Sequence, residues 1–209
     1  MKISFRAGRG DKVSVSCGGE FVANVDSGFI RSCGHTDNEE IDGAELAAFI
    51  EAVRLRSAFL GAMRLLSIRD YGKKELENKL TEKGHKREYA RAATDLALEY
   101  GYIDDDAYAA HLAARLVEEK GYSVRRARQE LLAKGISREI ADEACENIDI
   151  EPVLRIIELL NSKYSRSLDT EKGVKKTVAA LQRLGYRYSD IRQALSEMDT
   201  VTPQEDYYL

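Results

Sequence analysis

Apolar residues recur at a spacing of two near the start of the chain and at spacings of three and four through most of the rest. DKVSVSCGGEFVANVDSG alternates Val13, Val15 and Cys17 and then, past Gly18 and Gly19, places Phe21, Val22 and Val25. A Gly-Gly pair between two such runs predicts a β-hairpin. GRGDK at 8–12 reads as a turn before the first strand, since it lacks the Gly-x-x-x-x-Gly-Lys-Ser/Thr frame of a nucleotide loop. GFIRSCGHTDNEEIDGAEL is acidic and reads as loop. A hairpin alone is marginal in water, so this one is expected to lean on the helices that follow.

From about Ala44 to Ile68 the spacing predicts one continuous helix, followed by helices over GKKELENKLTEKG and KREYARAATDLALEYG. In GYIDDDAYAAHLAARLVEEKG, Asp104 is the expected N-cap, with Tyr108, Leu112 and Leu116 at four-residue spacing behind it. SVRRARQELLAKG and SREIADEACENI come next, the second capped by Ser137. A third group starts at Pro152, a residue at ease in a helix's first turn, and runs EPVLRIIELLNSKYS, GVKKTVAALQRLG and SDIRQALSEM. TVTPQEDYYL, residues 200–209, reads as a frayed tail.

The helical part repeats. Gly84, Gly135 and Gly185 stand 51 and 50 residues apart, each preceded four residues earlier by a leucine, Leu80, Leu131 and Leu181. Six residues after each glycine come Ala90, Ala141 and Ile191, and nine after come Ala93, Ala144 and Ala194. These positions predict one buried face repeated three times, with the glycines supplying the left-handed conformation that ends a helix. The expected organisation is a lead-in at 1–52, three-helix units at 53–100, 101–150 and 151–199, and a tail at 200–209. The fold class is therefore mainly α: tandem three-helix repeats stacked into an elongated curved rod, with a small N-terminal β-hairpin.

Ten residues before each glycine stands a cation, Lys74, Arg125 and Lys175, with Lys73, Arg126, Arg128 and Lys176 close by. Charged helix faces are ordinarily solvated surface. Cations in a first turn, however, oppose the helix macrodipole by a few tenths of a kcal/mol. Their recurrence in one register points to an acidic protein surface or phosphates as ligand. Net charge narrows this further. At −4 the chain is no general nucleic-acid binder, yet residues 53–100 carry 11 basic against 7 acidic side chains.

Other chemistry is not indicated. Cys17, Cys33 and Cys145 are odd in number and lack Cys-x-x-Cys or His-paired spacing, so reduced thiols are expected. Asp104, Asp105 and Asp106 are consecutive and do not converge on one helix face, which favours cap and dipole roles over a metal site. Tyr102, Ile103 and Tyr108 are expected in the core between repeats. His35, His85 and His111 assemble no triad, and no catalytic residue, cofactor or metal is expected. No apolar run approaches the roughly 20 residues of a membrane span, and no signal core is present, so a cytoplasmic monomer is expected.

GYIDDDAYA at 101–109, preceded by RLLSIRDYGKKELENKLTEKG and followed by RRARQELLAKGISREIADEA, closely resembles the RecX family of bacterial regulators of the RecA recombinase. The resemblance covers nearly the whole chain, including the hairpin segment GDKVSVSCGGEFVANV. It implies a protein that binds RecA filaments, reaches the bound DNA at most weakly, and damps ATP hydrolysis, strand exchange and repressor self-cleavage. Two positions depart from the family pattern. Gly72 stands where a capping Ser or Thr is usual, leaving Glu75 to reach back to the helix start. Thr177 replaces the apolar residue found at Leu76, so its helix is expected to be less well anchored. The rival reading is a direct DNA binder using the glycine turns as helix-turn-helix motifs. Lys86-Arg87-Glu88, Ser137-Arg138-Glu139 and Ser189-Asp190 would then occupy the recognition slots, and only the first is net basic.

Overall fold

The structure, a computed structural model, describes residues 1–198; the expected tail at 200–209 lies outside the described residues. The chain forms two compact units, Met1–Asp105 and the part from Asp106 onward.

In the first unit, β1 (Ile3–Ala7), β2 (Lys12–Cys17) and β3 (Glu20–Asp26) form an antiparallel sheet in that order. The hairpin is β2–β3, with Gly18 and Gly19 both left-handed at φ 59° and 86°. It is not alone, because ISFRA pairs with β2 from Ile3 opposite Cys17 to Ala7 opposite Val13. GRGDK is consequently the turn between β1 and β2, closed by Gly8 N–H donating to the Lys12 carbonyl at 2.7 Å. Asp26 ends β3 and caps α1 (Ser27–Ser32), accepting from Phe29 N, so a helical turn occupies the start of the segment read as loop. Sheet and α2 (Gly43–Leu66) share a core of Ile3, Val15, Val25, Phe49 and Val53.

The far half of α2 packs with α3 (Lys73–Glu82) and α4 (Arg87–Glu99) around Ala58, Ala62, Leu76, Leu80, Ala90 and Ala93. In the second unit α5 (Asp105–Glu118), α6 (Val124–Ala133) and α7 (Arg138–Glu146) enclose Leu112, Leu131, Ala141 and Ala144. There α8 (Pro152–Ser162), α9 (Glu171–Arg183) and α10 (Tyr188–Glu197) enclose Ile156, Leu181, Ile191 and Ala194. Leu80, Leu131 and Leu181 are fully buried. Their carbonyls also accept from the amide after each glycine, His85, Ile136 and Tyr186, at 3.1–3.2 Å. The glycine's own N–H donates to the carbonyl one residue further along the helix, at Thr81, Leu132 and Gln182, which completes a Schellman stop in each group.

Two expectations change. Tyr102 is 58 % exposed, lying edge-on to Tyr100, whereas Ile103 and Tyr108 are buried. Its position just past the Gly101 helix stop carries its ring outward. For Thr177 it is the cause of the weaker anchoring that changes: the side chain is packed, 2 % exposed and flanked by buried Val174 and Val178. Its hydroxyl has no hydrogen-bond partner, an arrangement that costs stability. Thr177→Val, of nearly equal shape, is expected to stabilise the protein by about 1 kcal/mol in urea unfolding.

Candidate partner-binding site

The basic helix starts are built differently in each group. Gly72 enters α3 in an extended conformation without a capping side chain. The first helical amide, Lys73 N–H, instead donates to Asp105 Oδ1 at 2.8 Å, so the missing cap is supplied from the start of α5. Glu75 is engaged by Arg69, whose two terminal nitrogens reach its oxygens at 3.2 and 3.3 Å. Lys73 Nζ pairs with Asp95 at 2.6 Å. Lys74 Nζ lies 3.0 and 3.1 Å from the two oxygens of Glu77, a buried carboxylate that Arg87 also approaches at 3.4 Å. Lys74 is therefore half of what makes Glu77 tolerable inside.

At α6 the cap is Ser123, whose Oγ accepts from Arg126 N–H. Arg125 Nη2 donates to the Gly185 carbonyl at 3.0 Å, and Ser123 N–H to the Leu184 carbonyl at 2.9 Å, which ties the α9–α10 turn to the start of α6. Arg126 pairs with Glu130 at 2.6 Å and lies 5.8 Å from the Tyr122 ring centre. Arg128 binds Asp142, and its guanidinium holds the Asp142 carboxyl below the usual carboxylate range. A cleft of 290 Å³ opens beside Tyr122 and Arg125, closed off by Tyr186, Arg187 and Asp190.

At α9, Lys175 pairs with Glu171 at 2.8 Å, and the ammonium holds the Glu171 carboxyl below the usual carboxylate range. Lys176 is exposed with no ion pair among the described residues. Six of the seven cations thus have intramolecular partners, and the carboxylates beside Lys73 and Lys74 offset the unfavourable dipole of α3. The expected first-turn register does not extend to α9, which Thr170 caps ahead of the expected start, so that Glu171 takes the first turn and Lys175 and Lys176 fall in the second. Arg125 and Arg126 share one seam; Lys73 and Lys74 share another with Glu77 and Asp95.

Sequence reasoning passed over the residue following each repeat glycine. Ile136 and Tyr186 are buried and His85 is half-buried, and burial pushes the His85 imidazole below its ordinary value and the Tyr186 hydroxyl up to about 12. The hydrophobic contact that accompanies a Schellman stop was the available signal.

Tandem three-helix groups with glycine-stopped helices define a helical-repeat protein. The family model for the second three-helix domain of RecX matches residues 104–144, the α5–α7 group. A regulatory protein RecX from Vibrio vulnificus is 37% identical over 141 residues, 65% of this chain and 89% of that protein. One from Caldanaerobacter subterraneus is 28% identical over 191 residues, 90% of this chain and 94% of that protein. The chain belongs to the RecX family. Its fold matches a crystal structure of a regulatory protein RecX with TM-score 0.65 at 20% identity, over 93% of this chain and 98% of that one. RecX from Lactobacillus salivarius matches with TM-score 0.57 at 22% identity, over 71% and 98%. Among the described residues no helix is long and apolar enough to cross a membrane.

Proposed function

We propose that this protein binds RecA filaments on DNA and restrains their ATP hydrolysis, strand exchange and co-protease activity, performing no chemistry itself. Membership of a family of regulatory proteins carries the reading. Lys73, Lys74, Arg125, Arg126, Arg128, Lys175 and Lys176 are its contact cations. Most are exposed or half-exposed, and exposed ion pairs add little stability, so an acidic surface or a phosphate can take over their side chains at small cost. Several weak contacts linked in one chain gain effective concentration. The protein acts as a cytoplasmic monomer in recombination, DNA repair and the SOS response.

The structure redirects the choice of variants. Reversing Lys74 would strand the Glu77 carboxylate, and reversing Arg125 would break the bond to Gly185, so neither tests binding cleanly. Lys73→Glu/Lys175→Glu/Lys176→Glu alters charge with the core untouched. In a titration of the single-stranded-DNA-dependent ATPase of RecA from the same organism, the wild type is expected to inhibit. The triple variant should need about tenfold more protein at unchanged helical content, as reversal at an electrostatic contact predicts. Equal inhibition by the variant would remove these cations from the contact. Binding to DNA without RecA, weakening steeply as salt rises, would instead support direct DNA recognition.

A further inference from the structure

The sheet of the first unit treats its two edges differently. Beyond β1, residues 37–41 close the edge: Ile3 N–H donates to the Glu39 carbonyl at 2.9 Å, Ile41 N–H to the Met1 carbonyl at 3.1 Å, and Phe5 N–H to Asp37 Oδ1 at 2.7 Å. Beyond β3 there is no strand among the described residues. An open strand edge presents unpaired N–H and C=O groups, a ready template for pairing with another chain.

Along that open edge runs a groove of 550 Å³, between β3, α2 and the turn after α3. Phe21 and Ile68, 62 % and 79 % exposed, stand at it with Leu60 and put apolar surface in contact with water within a lining that also holds Asn24, Ser57 and His85. Lys12, Arg64 and Lys83 supply its charges, and no carboxylate is among its lining residues. In a chain with net charge −4, that local imbalance sets the groove apart. A strand edge alternates donors and acceptors, which a polypeptide backbone complements and a phosphodiester backbone, bearing acceptors only, does not.

We propose that the β3 edge and this groove dock an extended segment of a protein partner whose side chains alternate acidic and apolar, added as a fourth strand. The backbone ladder holds the segment, its apolar side chains cover Phe21 and Ile68, and its carboxylates meet Lys12, Arg64 and Lys83. The surface is separate from the cations assigned to filament binding and stands whether or not that assignment holds.

The test uses the full-length protein and a fluorescein-labelled ten-residue peptide alternating Glu and Val, read by anisotropy, together with amide hydrogen exchange. Expected are saturable binding, slowed exchange across Glu20–Asp26, and affinity weakened about tenfold in Lys12→Glu/Arg64→Glu/Lys83→Glu at unchanged circular dichroism. Phe21→Asp, which removes the exposed ring without touching the core, is expected to weaken it as well. The proposal is overturned by no saturable binding, by equal affinity in both variants, or by binding that leaves β3 exchange unchanged. Tighter binding of a ten-nucleotide oligothymidylate that Lys12, Arg64 and Lys83 control would assign the groove to nucleic acid instead. Self-association abolished by Phe21→Asp would assign it to a second copy.

Discussion

Gly185→Ala is expected to destabilise the protein by about 3–4 kcal/mol, against about 1 kcal/mol for Gly84→Ala, in urea unfolding followed by circular dichroism. Both glycines are left-handed, at φ +97° and +93°, so a side chain brings similar backbone strain at either site. Their surroundings differ. A Cβ on Gly84 meets nothing within 4 Å, whereas one on Gly185 would stand 2.5 Å from both Arg126 Cβ and Ser123 Oγ. Helix α6 would have to shift, breaking the bonds from Ser123 N–H to Leu184 and from Arg125 to the Gly185 carbonyl. Equal losses in the two variants would show that the seam between α6 and the α9–α10 turn yields freely.

Arg155→Ala is expected to cost about 2–3 kcal/mol, with Arg155→Lys recovering only part of it. The side chain is largely covered, and its Nη2 donates to the carbonyls of Val117 and Glu118 at 3.1 and 2.8 Å. Those carbonyls belong to the last turn of α5, where intrahelical partners run out and a cation is favoured. Nη1 meanwhile meets Glu158 at 2.7 Å. A lysine offers a point charge where the planar fork serves two carbonyls and a carboxylate together. The same guanidinium eases the acidity of the buried Tyr186 hydroxyl, against the upward push of burial. Thermal and urea unfolding of both variants separate a helix-capping role from ordinary surface charge, for which the loss would be negligible.

The repeat was legible because it rests on local rules. Leucine four residues before a glycine, small apolar residues six and nine after it, and Ser or Pro at helix starts each act within a turn or two of chain, and all appear where the spacing put them. β1 was not legible, since five residues with one buried position acquire strand character only when β2 lies beside them. Nor does spacing disclose that Arg69 engages Glu75, or that Asp105, 32 residues further along the chain, takes the amide at Lys73.

For the candidate site the division is similar. The register of Lys74, Arg125 and Lys175 can be read directly, but not that Arg125 is tied to a carbonyl 60 residues away or that Lys74 balances a buried carboxylate. Sequence alone determined the helices, their stops, the threefold buried face and the family, because these depend on periodicity and on the conformational range of single residues. Tertiary structure alone decided which cations are already partnered, that Gly185 is crowded where Gly84 is open, and which sheet edge is left open. Those outcomes depend on which distant segments meet, and side-chain spacing along one chain carries no record of the atoms that approach from another part of it.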